Sequence, residues 1–212
     1  MTRFIFVRHG QSEANRDGIF AGQYDCELTE MGHDQAKLTA EYIYNNYKVD
    51  TAYGSDLKRA FFTGKHITDK LGIELVPDIR LREIYAGKWD GKPFFESRAK
   101  YPDDFYVWDN DIGNCRPTDG ESIREVGSRV FGAIADIASK NEGKTVLIAT
   151  HATPIRSLMC IAEGGDYNNM VNIPWVSNSS VSIAHFENGK ITFDVTSYDA
   201  HLGEKSTKLR TE

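Results

Sequence analysis

The stretch RFIFVRHGQSEAN, residues 3–15, decides the fold of this chain. Residues 4–7 are all apolar, and Arg8, His9 and Gly10 follow them directly. A short apolar run that stops at polar residues and a glycine is typical of a buried parallel strand. Because ligands of open α/β sheets bind at the carboxyl ends of such strands, the stretch predicts a binding site directly after this strand.

A second run of the same kind, residues 145–149, is followed closely by His151. If the two runs are neighbouring parallel strands, His9 and His151 meet at one edge of the sheet. Arg8 adds a planar guanidinium with forked donors at the same edge. Together these side chains form a cationic pocket that can also move protons, which predicts a phosphate ligand.

Signals for strands and helices alternate along most of the chain. The predicted helices cover residues 29–47, start near Asp56, and start again at Asp119 or Ser122, and further strands are predicted over residues 49–53 and 74–77. Thr29 and the pair Ser122 and Glu125 carry side chains that cap helix N-termini. Asn-Gly at 188–189, between two β-rich runs, predicts a hairpin. The alternation predicts an α/β fold, a three-layer α/β/α sandwich with a mixed, mainly parallel sheet.

Residues 88–118 differ from the rest, since they combine seven aromatic residues with three prolines. We interpret this segment as an inserted lid without regular amphipathic elements. Its aromatic residues either form the small core of the lid or line a substrate-binding surface, and the sequence leaves both alternatives open. The polar tail from Gly203 onward is expected to be loosely held.

The composition suits one soluble domain over residues 1–212, with 40% hydrophobic and 26% charged residues. The net charge of −6 argues against a nucleic-acid partner. Three widely separated cysteines suggest neither a disulfide framework nor a zinc site, which favours a cytoplasmic location. The apolar start is too short for a signal peptide or a membrane span. An exposed edge strand would allow a homodimer.

Three further candidates follow from side-chain chemistry. Asn15 offers a neutral donor, and Arg59 lies near a predicted helix start, where the helix dipole also favours an anion. Glu83 places a carboxylate just before the segment 88–118. No carboxylate or cysteine stands at ligand spacing from the two histidines, so neither a metal nor a cofactor is expected.

Taken in order, these motifs resemble the histidine phosphatase superfamily, in the branch that includes cofactor-dependent phosphoglycerate mutase. The resemblance covers nearly the whole chain and implies a phosphoglycerate mutase-like fold. It rests on the octet at 8–15, Ser55-Asp56 with Arg59-Ala60, Glu83 with Gly87 and Trp89, Gly120-Glu121-Ser122, and His151.

The resemblance also implies a role for each site residue. His9 matches the nucleophile that forms a phosphohistidine, and Glu83 matches the proton donor to the leaving oxygen, which then activates water. Arg8, Arg59 and His151 match the positions around the phosphate. The substrate-binding positions implied in addition are Asn15, Gln11, Ser12, Gly22 and Ala152.

These roles require two different imidazoles, because a neutral His9 can attack while a charged His151 can hold the phosphate. The arginines and His151 then supply the positive charge that a metal would otherwise provide. Many members of the family have glycine where this chain has Ala152. The extra methyl is expected to narrow the floor of the pocket without abolishing activity.

The leading functional hypothesis is a metal-independent phosphatase that hydrolyses small phosphomonoesters and releases inorganic phosphate. Phosphoglycerate mutase is the nearest rival, but the mutases resembled here carry an adjacent arginine pair in the lid and a tyrosine after the acid. This chain has separate arginines, Arg98 and Arg116, and Ala86 at the tyrosine position. A non-catalytic phosphate-binding regulatory module is the third alternative. The aromatic segment 88–118 favours a leaving group that is apolar or carries a ring.

Overall fold

The computed structural model describes residues 1–207 and contains a six-stranded sheet and a separate two-stranded pair. The strands are β1 (Thr2–Arg8), β2 (Ile19–Phe20), β3 (Thr51–Gly54), β4 (Leu75–Pro77), β5 (Lys92–Pro93), β6 (Thr145–Thr150), β7 (Val181–Glu187) and β8 (Lys190–Tyr198). The α-helices are α1 (Glu13–Asp17), α2 (Glu30–Asn46), α3 (Lys58–Leu71), α4 (Phe94–Lys100), α5 (Pro102–Asn110), α6 (Ile123–Lys140) and α7 (Ala152–Ala162).

The main sheet is mixed and mainly parallel, as predicted. Its strand order is β4-β3-β6-β1-β7-β8, in which the first four strands run parallel and β7 and β8 run antiparallel to their neighbours. The predicted hairpin joins β7 to β8, and Asn188 and Gly189 both have positive φ there. Positive φ at both central residues matches the twist that a two-residue hairpin turn requires.

Helices cover both faces of the sheet and complete the three layers. Phe4 and Phe6 of β1 point to one face, where they pack with residues of α6 and α7. Ile5 and Val7 point to the other face and pack with residues of α2 and α3. This alternation is the two-residue period of a strand that is buried on both sides.

The predicted helix starts are confirmed at two of three positions. Thr29 caps α2 by accepting the Gly32 N–H, and Ser122 caps α6 in a reciprocal capping box with Glu125. Helix α3 begins two residues later than predicted, at Lys58, because the Asp56 carboxylate binds Arg82 instead of capping the helix.

The interpretation of residues 88–118 as lacking regular elements is wrong. The segment contains α4 and α5, which are separated by Tyr101 and restarted by Pro102 at the first helical position. Trp89 and Phe105 are buried and stack with ring centroids 4.1 Å apart. The two helices are short and mostly aromatic on their inner sides, so they show little of the periodicity by which longer helices are recognised.

The prediction of a loosely held tail from Gly203 is also wrong as far as residue 207. Residues Ala200–Lys205 form a 3₁₀ segment, and the Lys205 carbonyl accepts a hydrogen bond from Gln35 Nε2 at 2.7 Å. The remainder of that predicted tail, 208–212, lies outside the described residues. No helix within residues 1–207 has the length and apolar character needed to cross a membrane.

Candidate active site

The two histidines meet because β1 and β6 are paired in parallel. Arg8 pairs with Thr150 in the ladder, so the next residue of each strand is a histidine. The His9 N–H donates to the Thr150 carbonyl at 3.0 Å, and the rings of His9 and His151 lie 5.2 Å apart between centroids. The structure therefore confirms the predicted meeting of both side chains at one sheet edge.

His9 is oriented as a nucleophile. Its Nδ1 lies 2.7 Å from the Gly10 carbonyl, which can only accept, so Nδ1 carries the proton and Nε2 keeps its lone pair. Burial lowers the pKa of His9 well below its usual range, and the charges of Arg59 and Arg8 lower it further. Gly10 permits this arrangement because a Cβ there would lie 2.4 Å from the Gly32 carbonyl oxygen.

His151 is fully buried beside His9. Its Nε2 lies 2.8 Å from the Ser55 hydroxyl, and its Nδ1 has no hydrogen-bond partner among residues 1–207. Burial lowers the pKa of His151 well below its usual range, with further lowering by Arg59 and His9. The protein groups around His151 therefore favour its neutral form, so the expected charge on His151 depends on a bound dianion, which would shift its pKa upward.

Two buried arginines provide the positive charge. Arg8 donates from Nη1 to the Val176 carbonyl at 2.6 Å, and Arg59 donates from Nη2 to the Gly22 carbonyl at 2.6 Å. Burial lowers the pKa of Arg8 to about 10, although the carboxylate of Glu83 opposes the shift. Because these guanidinium groups bind carbonyl oxygens rather than carboxylates, their charge is available to an anion.

Glu83 lies at the N-terminus of α7. Its Oε2 accepts the Thr153 N–H at 3.3 Å, and its Oε1 accepts the Ile84 N–H at 2.9 Å. The cavity that His9 lines is also lined by Glu83, Ile84 and Thr153. Two backbone N–H groups thus hold the Glu83 carboxyl at the cavity that His9 also lines.

The five predicted substrate-binding residues divide into two groups. Asn15, Gly22 and Ala152 line the cavity, and the methyl of Ala152 forms part of its floor. Gln11 and Ser12 are not among the residues that line it, so their contact with substrate stays a prediction. The Ser12 hydroxyl caps α1, and Gln11 Oε1 accepts from the Thr29 hydroxyl at 2.9 Å.

The cavity above this floor has a volume of about 480 Å³. Its walls are mainly apolar and include Ile19, Phe20, Ile84, Phe94, Trp108 and Trp175. At its rim Arg98 of α4 forms a bidentate ion pair with Asp109 of α5. Within the aromatic segment, Trp89 and Phe105 thus belong to the core, while Phe94 and Trp108 face the cavity.

The wall residue Trp175 is held by a buried cation. The Arg156 guanidinium lies 3.9 Å from the centroid of its ring and donates to the carbonyls of Met170 and Ile173. Burial lowers the pKa of Arg156 to about 10. These contacts fix the segment that carries Trp175 against α7, which keeps one wall of the cavity in place.

Asp90 is a second carboxyl close to the site. Its Oδ1 accepts the N–H groups of Gln23 and Ala86 and so holds the loop around Gly22 against the loop around Ala86. Burial raises the pKa of Asp90 from 3.8 to about 6, although both hydrogen bonds and Arg59 oppose the shift. Folding thus destabilises the carboxylate form of Asp90 relative to an exposed aspartate.

Replacing Asp90 by asparagine is expected to stabilise the protein above pH 6. An asparagine Oδ1 can accept the same two N–H groups without a buried charge. The increase in the free energy of unfolding should be absent below pH 4 and grow between pH 4 and 6. Above pH 6 it should stay on the order of 1–2 kcal/mol, after allowance for the partial exposure of Asp90. Thermal unfolding across pH 4–8 measures it. A variant that melts at or below the wild-type temperature at pH 7.5 contradicts this reading of Asp90.

Several residues of the site escaped the sequence reasoning. Ser55 orients His151, and the N–H of Thr153 holds Glu83. Ser55 belongs to the motif Ser55-Asp56, so the sequence did indicate that it lies near the site. Asn178 and Trp175 carried no such signal, because they lie in an irregular loop. Within residues 1–207, no three histidine, cysteine, aspartate or glutamate side chains come together as metal ligands.

Comparison with known proteins agrees with this geometry. The family model of the histidine phosphatase superfamily (branch 1) matches residues 4–198. The chain belongs to the histidine phosphatase superfamily. Phosphoserine phosphatase 1 of Hydrogenobacter thermophilus is 32% identical over 204 residues, which cover 96% of each chain.

Two solved structures of the superfamily are similar in fold. Bacillus stearothermophilus YhfR superposes with a TM-score of 0.90 at 28% identity and covers 95% of this chain and 100% of its own. A mycobacterial glucosyl-3-phosphoglycerate phosphatase superposes with a TM-score of 0.82 at 26% identity and covers 91% and 96%. A phosphoglycerate mutase of Brucella anthropi is 34% identical over 167 residues, 76% of this chain and 81% of its own.

Proposed function

We propose that this protein hydrolyses small phosphomonoesters through a phosphohistidine on His9, without a metal. The chain belongs to the histidine phosphatase superfamily, and relatives named phosphoserine phosphatase and glucosyl-3-phosphoglycerate phosphatase support hydrolysis of phosphomonoesters. The observation that carries the residue assignment is the orientation of His9. Its Nε2 keeps a lone pair at a cavity floor that also holds the charges of Arg8 and Arg59.

The proposed reaction has two steps. In the first, His9 Nε2 attacks phosphorus, the bond to the ester oxygen breaks, and the Glu83 carboxyl gives its proton to the departing alcohol. In the second, the Glu83 carboxylate takes a proton from water, the water oxygen attacks phosphorus, and the P–N bond breaks. Phosphate leaves, and both side chains return to their starting forms.

The charge of the transferring group is balanced by buried cations. Arg8 and Arg59 are 1% and 0% exposed, so their attraction to equatorial phosphoryl oxygens is weakly screened. In the described part of the chain, His151 Nδ1 has no hydrogen-bond partner. When a dianion raises the pKa of His151, that atom becomes a further donor to phosphate.

The aromatic walls favour substrates with a ring or an apolar leaving group. Phe20, Phe94, Trp108 and Trp175 surround the space above the phosphate site. The names of relatives point instead to phosphoserine and to a glucosylated phosphoglycerate. A flat leaving group would bury more apolar area against these walls than the small zwitterion of serine can.

The mutase activity is the less supported alternative. Mutases of this superfamily are among the relatives, as the Brucella protein shows. However, Arg98 is paired with Asp109, and Arg116 with Glu125, so neither is free to bind the carboxylate of a phosphoglycerate.

We also propose a cytoplasmic location, since Cys26, Cys115 and Cys160 are buried and unbridged. A homodimer through an exposed sheet edge is a further proposal.

Hydrolysis of p-nitrophenyl phosphate in EDTA tests the proposal. We expect turnover across pH 5–8 that the chelator does not lower, and a higher kcat/KM for this ester than for phosphoserine. A coupled assay with 3-phosphoglycerate, primed by 2,3-bisphosphoglycerate, tests for the mutase. Phosphate binding without turnover would indicate a regulatory module, and activity that EDTA removes and a divalent ion restores would contradict the metal-independent route.

A further inference from the structure

We propose that Asn178 is a positioning residue, which turns the amide of Asn15 so that its NH₂ group faces the phosphate. The proposal rests on the proposed function, because it assigns Asn15 a phosphate contact. It also extends the site to the segment 205–207, which is connected to the catalytic loop through Asn178 and through Gln35.

The orientation of the Asn15 amide is fixed on one side. Asn15 Oδ1 accepts the backbone N–H of Ser12 at 3.2 Å and the Nδ2 group of Asn178 at 3.1 Å. A backbone N–H can only donate, so the atom opposite Ser12 is the oxygen. Because Asn15 lines the cavity, its NH₂ group is the part that remains for a ligand.

Asn178 has its own orientation fixed by the backbone. Its Nδ2 also donates to the His9 carbonyl at 3.1 Å, and a carbonyl can only accept. The same carbonyl accepts the N–H of Ser179 at 3.1 Å. Asn178 is 2% exposed, so no water replaces these bonds when they are lost. One side chain thus connects the peptide of the nucleophile to the donor Asn15.

The segment 205–207 forms hydrogen bonds with Asn178 through Thr207. The Thr207 hydroxyl donates to Asn178 Oδ1 at 3.2 Å, and the Asn178 N–H donates to the Thr207 carbonyl at 3.0 Å. Gln35 Nε2 donates to the Thr207 hydroxyl at 2.8 Å, while Gln35 Oε1 accepts the Gln11 N–H at 2.8 Å. These bonds form one chain of donors and acceptors from the tail to the catalytic loop.

The direction of each bond makes a conservative change informative. In the variant Asn178→Asp a carboxylate would face the His9 carbonyl and Asn15 Oδ1, and all three groups are acceptors. Repulsion by this carboxylate would push Asn15 Oδ1 away from position 178, or turn the amide so that its NH₂ group faces position 178 and the bond from the Ser12 N–H is lost. Both changes move the NH₂ group away from the phosphate. A protonated carboxyl would supply a donor again, so acid should partly restore the original arrangement.

The experiment compares Asn178→Asp, Asn178→Ala and wild type in p-nitrophenyl phosphate hydrolysis from pH 5 to 8. At pH 8 we expect kcat/KM of Asn178→Asp to fall roughly 10- to 100-fold, the scale for one hydrogen bond to a charged group. The loss should shrink as the pH falls, whereas the loss in Asn178→Ala should keep a constant ratio to wild type. The wild type at each pH corrects for titration of the neighbouring His9, Arg8 and His201.

Two further variants complete the test. Asn172→Asp changes an exposed asparagine at the end of the 3₁₀ segment Tyr167–Asn172 and should leave kcat/KM unchanged at every pH. Thr207→Val removes the hydroxyl that supports Asn178 and should lower kcat/KM roughly 2- to 10-fold. Equal melting temperatures of the folded variants separate positioning from unfolding.

The inference is overturned if Asn178→Asp matches wild type at pH 8, or if its loss is the same at every pH. Calorimetric binding of inorganic phosphate is an independent readout, and the same variants should show weaker binding with the same pH trend. If wild type does not hydrolyse the ester, the proposed function fails, yet the binding data still decide the role of Asn178.

Discussion

Replacing His9 by alanine is expected to lower kcat for p-nitrophenyl phosphate by roughly 10⁴-fold or more, the scale seen when the nucleophile of a covalent mechanism is removed. In the proposed reaction the His9 Nε2 lone pair accepts the phosphoryl group, and alanine offers no substitute. Water would have to attack phosphorus directly, and the buried site has no group placed to activate it before the ester bond breaks.

Steady-state kinetics and a chemical quench measure this effect. Wild type mixed with a labelled ester and quenched in alkali should carry a protein-bound phosphoryl group, and His9→Ala should carry none. Inorganic phosphate should still raise the melting temperature of His9→Ala, because Arg8 and Arg59 remain. His33→Ala is the matched control, since His33 contacts His66 between α2 and α3 instead of lining the cavity. Near-normal turnover by His9→Ala would refute the phosphohistidine.

The second large effect is expected for Glu83→Gln. Its kcat/KM for an alkyl ester such as phosphoserine should fall roughly 10²- to 10⁴-fold, the range for loss of a general acid. For p-nitrophenyl phosphate the fall should be much smaller, because p-nitrophenolate leaves without a proton. The two esters therefore separate a missing proton from a damaged phosphate site.

Glu83→Gln should also change the time course. Since Glu83 activates water in the second step, the phosphoenzyme of the variant should accumulate, and rapid mixing should show a burst of p-nitrophenol followed by slow turnover. Glu96→Gln, on the exposed side of α4, is the control and should behave as wild type. Equal losses for both esters, or the absence of a burst, would remove Glu83 from the acid and base roles.

The sequence was sufficient for those features that depend on short stretches of chain. The strand-end positions of His9 and His151, the caps at Thr29 and Ser122, and the Asn-Gly hairpin each follow from a few neighbouring residues. The structural roles of Gln11 and Ser12 were not predicted, for a physical reason. A small helix, α1, begins within the motif, and its N-terminus takes the Ser12 hydroxyl as its cap.

Other features depend on contacts that no local pattern records. Asn178 reaches His9 across 169 positions of the sequence, and Gln35 reaches Thr207 across 172. The protonation state of His151 was predicted from its role, whereas its pKa is set by complete burial and by Arg59. Such quantities depend on the packing of the whole molecule, so the sequence could identify the residues but not their states.

The pairing of Arg8 with Thr150 has a consequence for how the substrate preference of this protein can evolve. The distance between the two histidines is set by one rung of a buried backbone ladder, whereas the aromatic walls come from β2, α4, α5 and the loop that carries Trp175. Mutations in those walls can alter which leaving group is accepted without moving the reacting atoms. New substrates can therefore evolve on this framework by changes in the segment 88–118, while a one-residue shift in β1 or β6 would end the chemistry altogether.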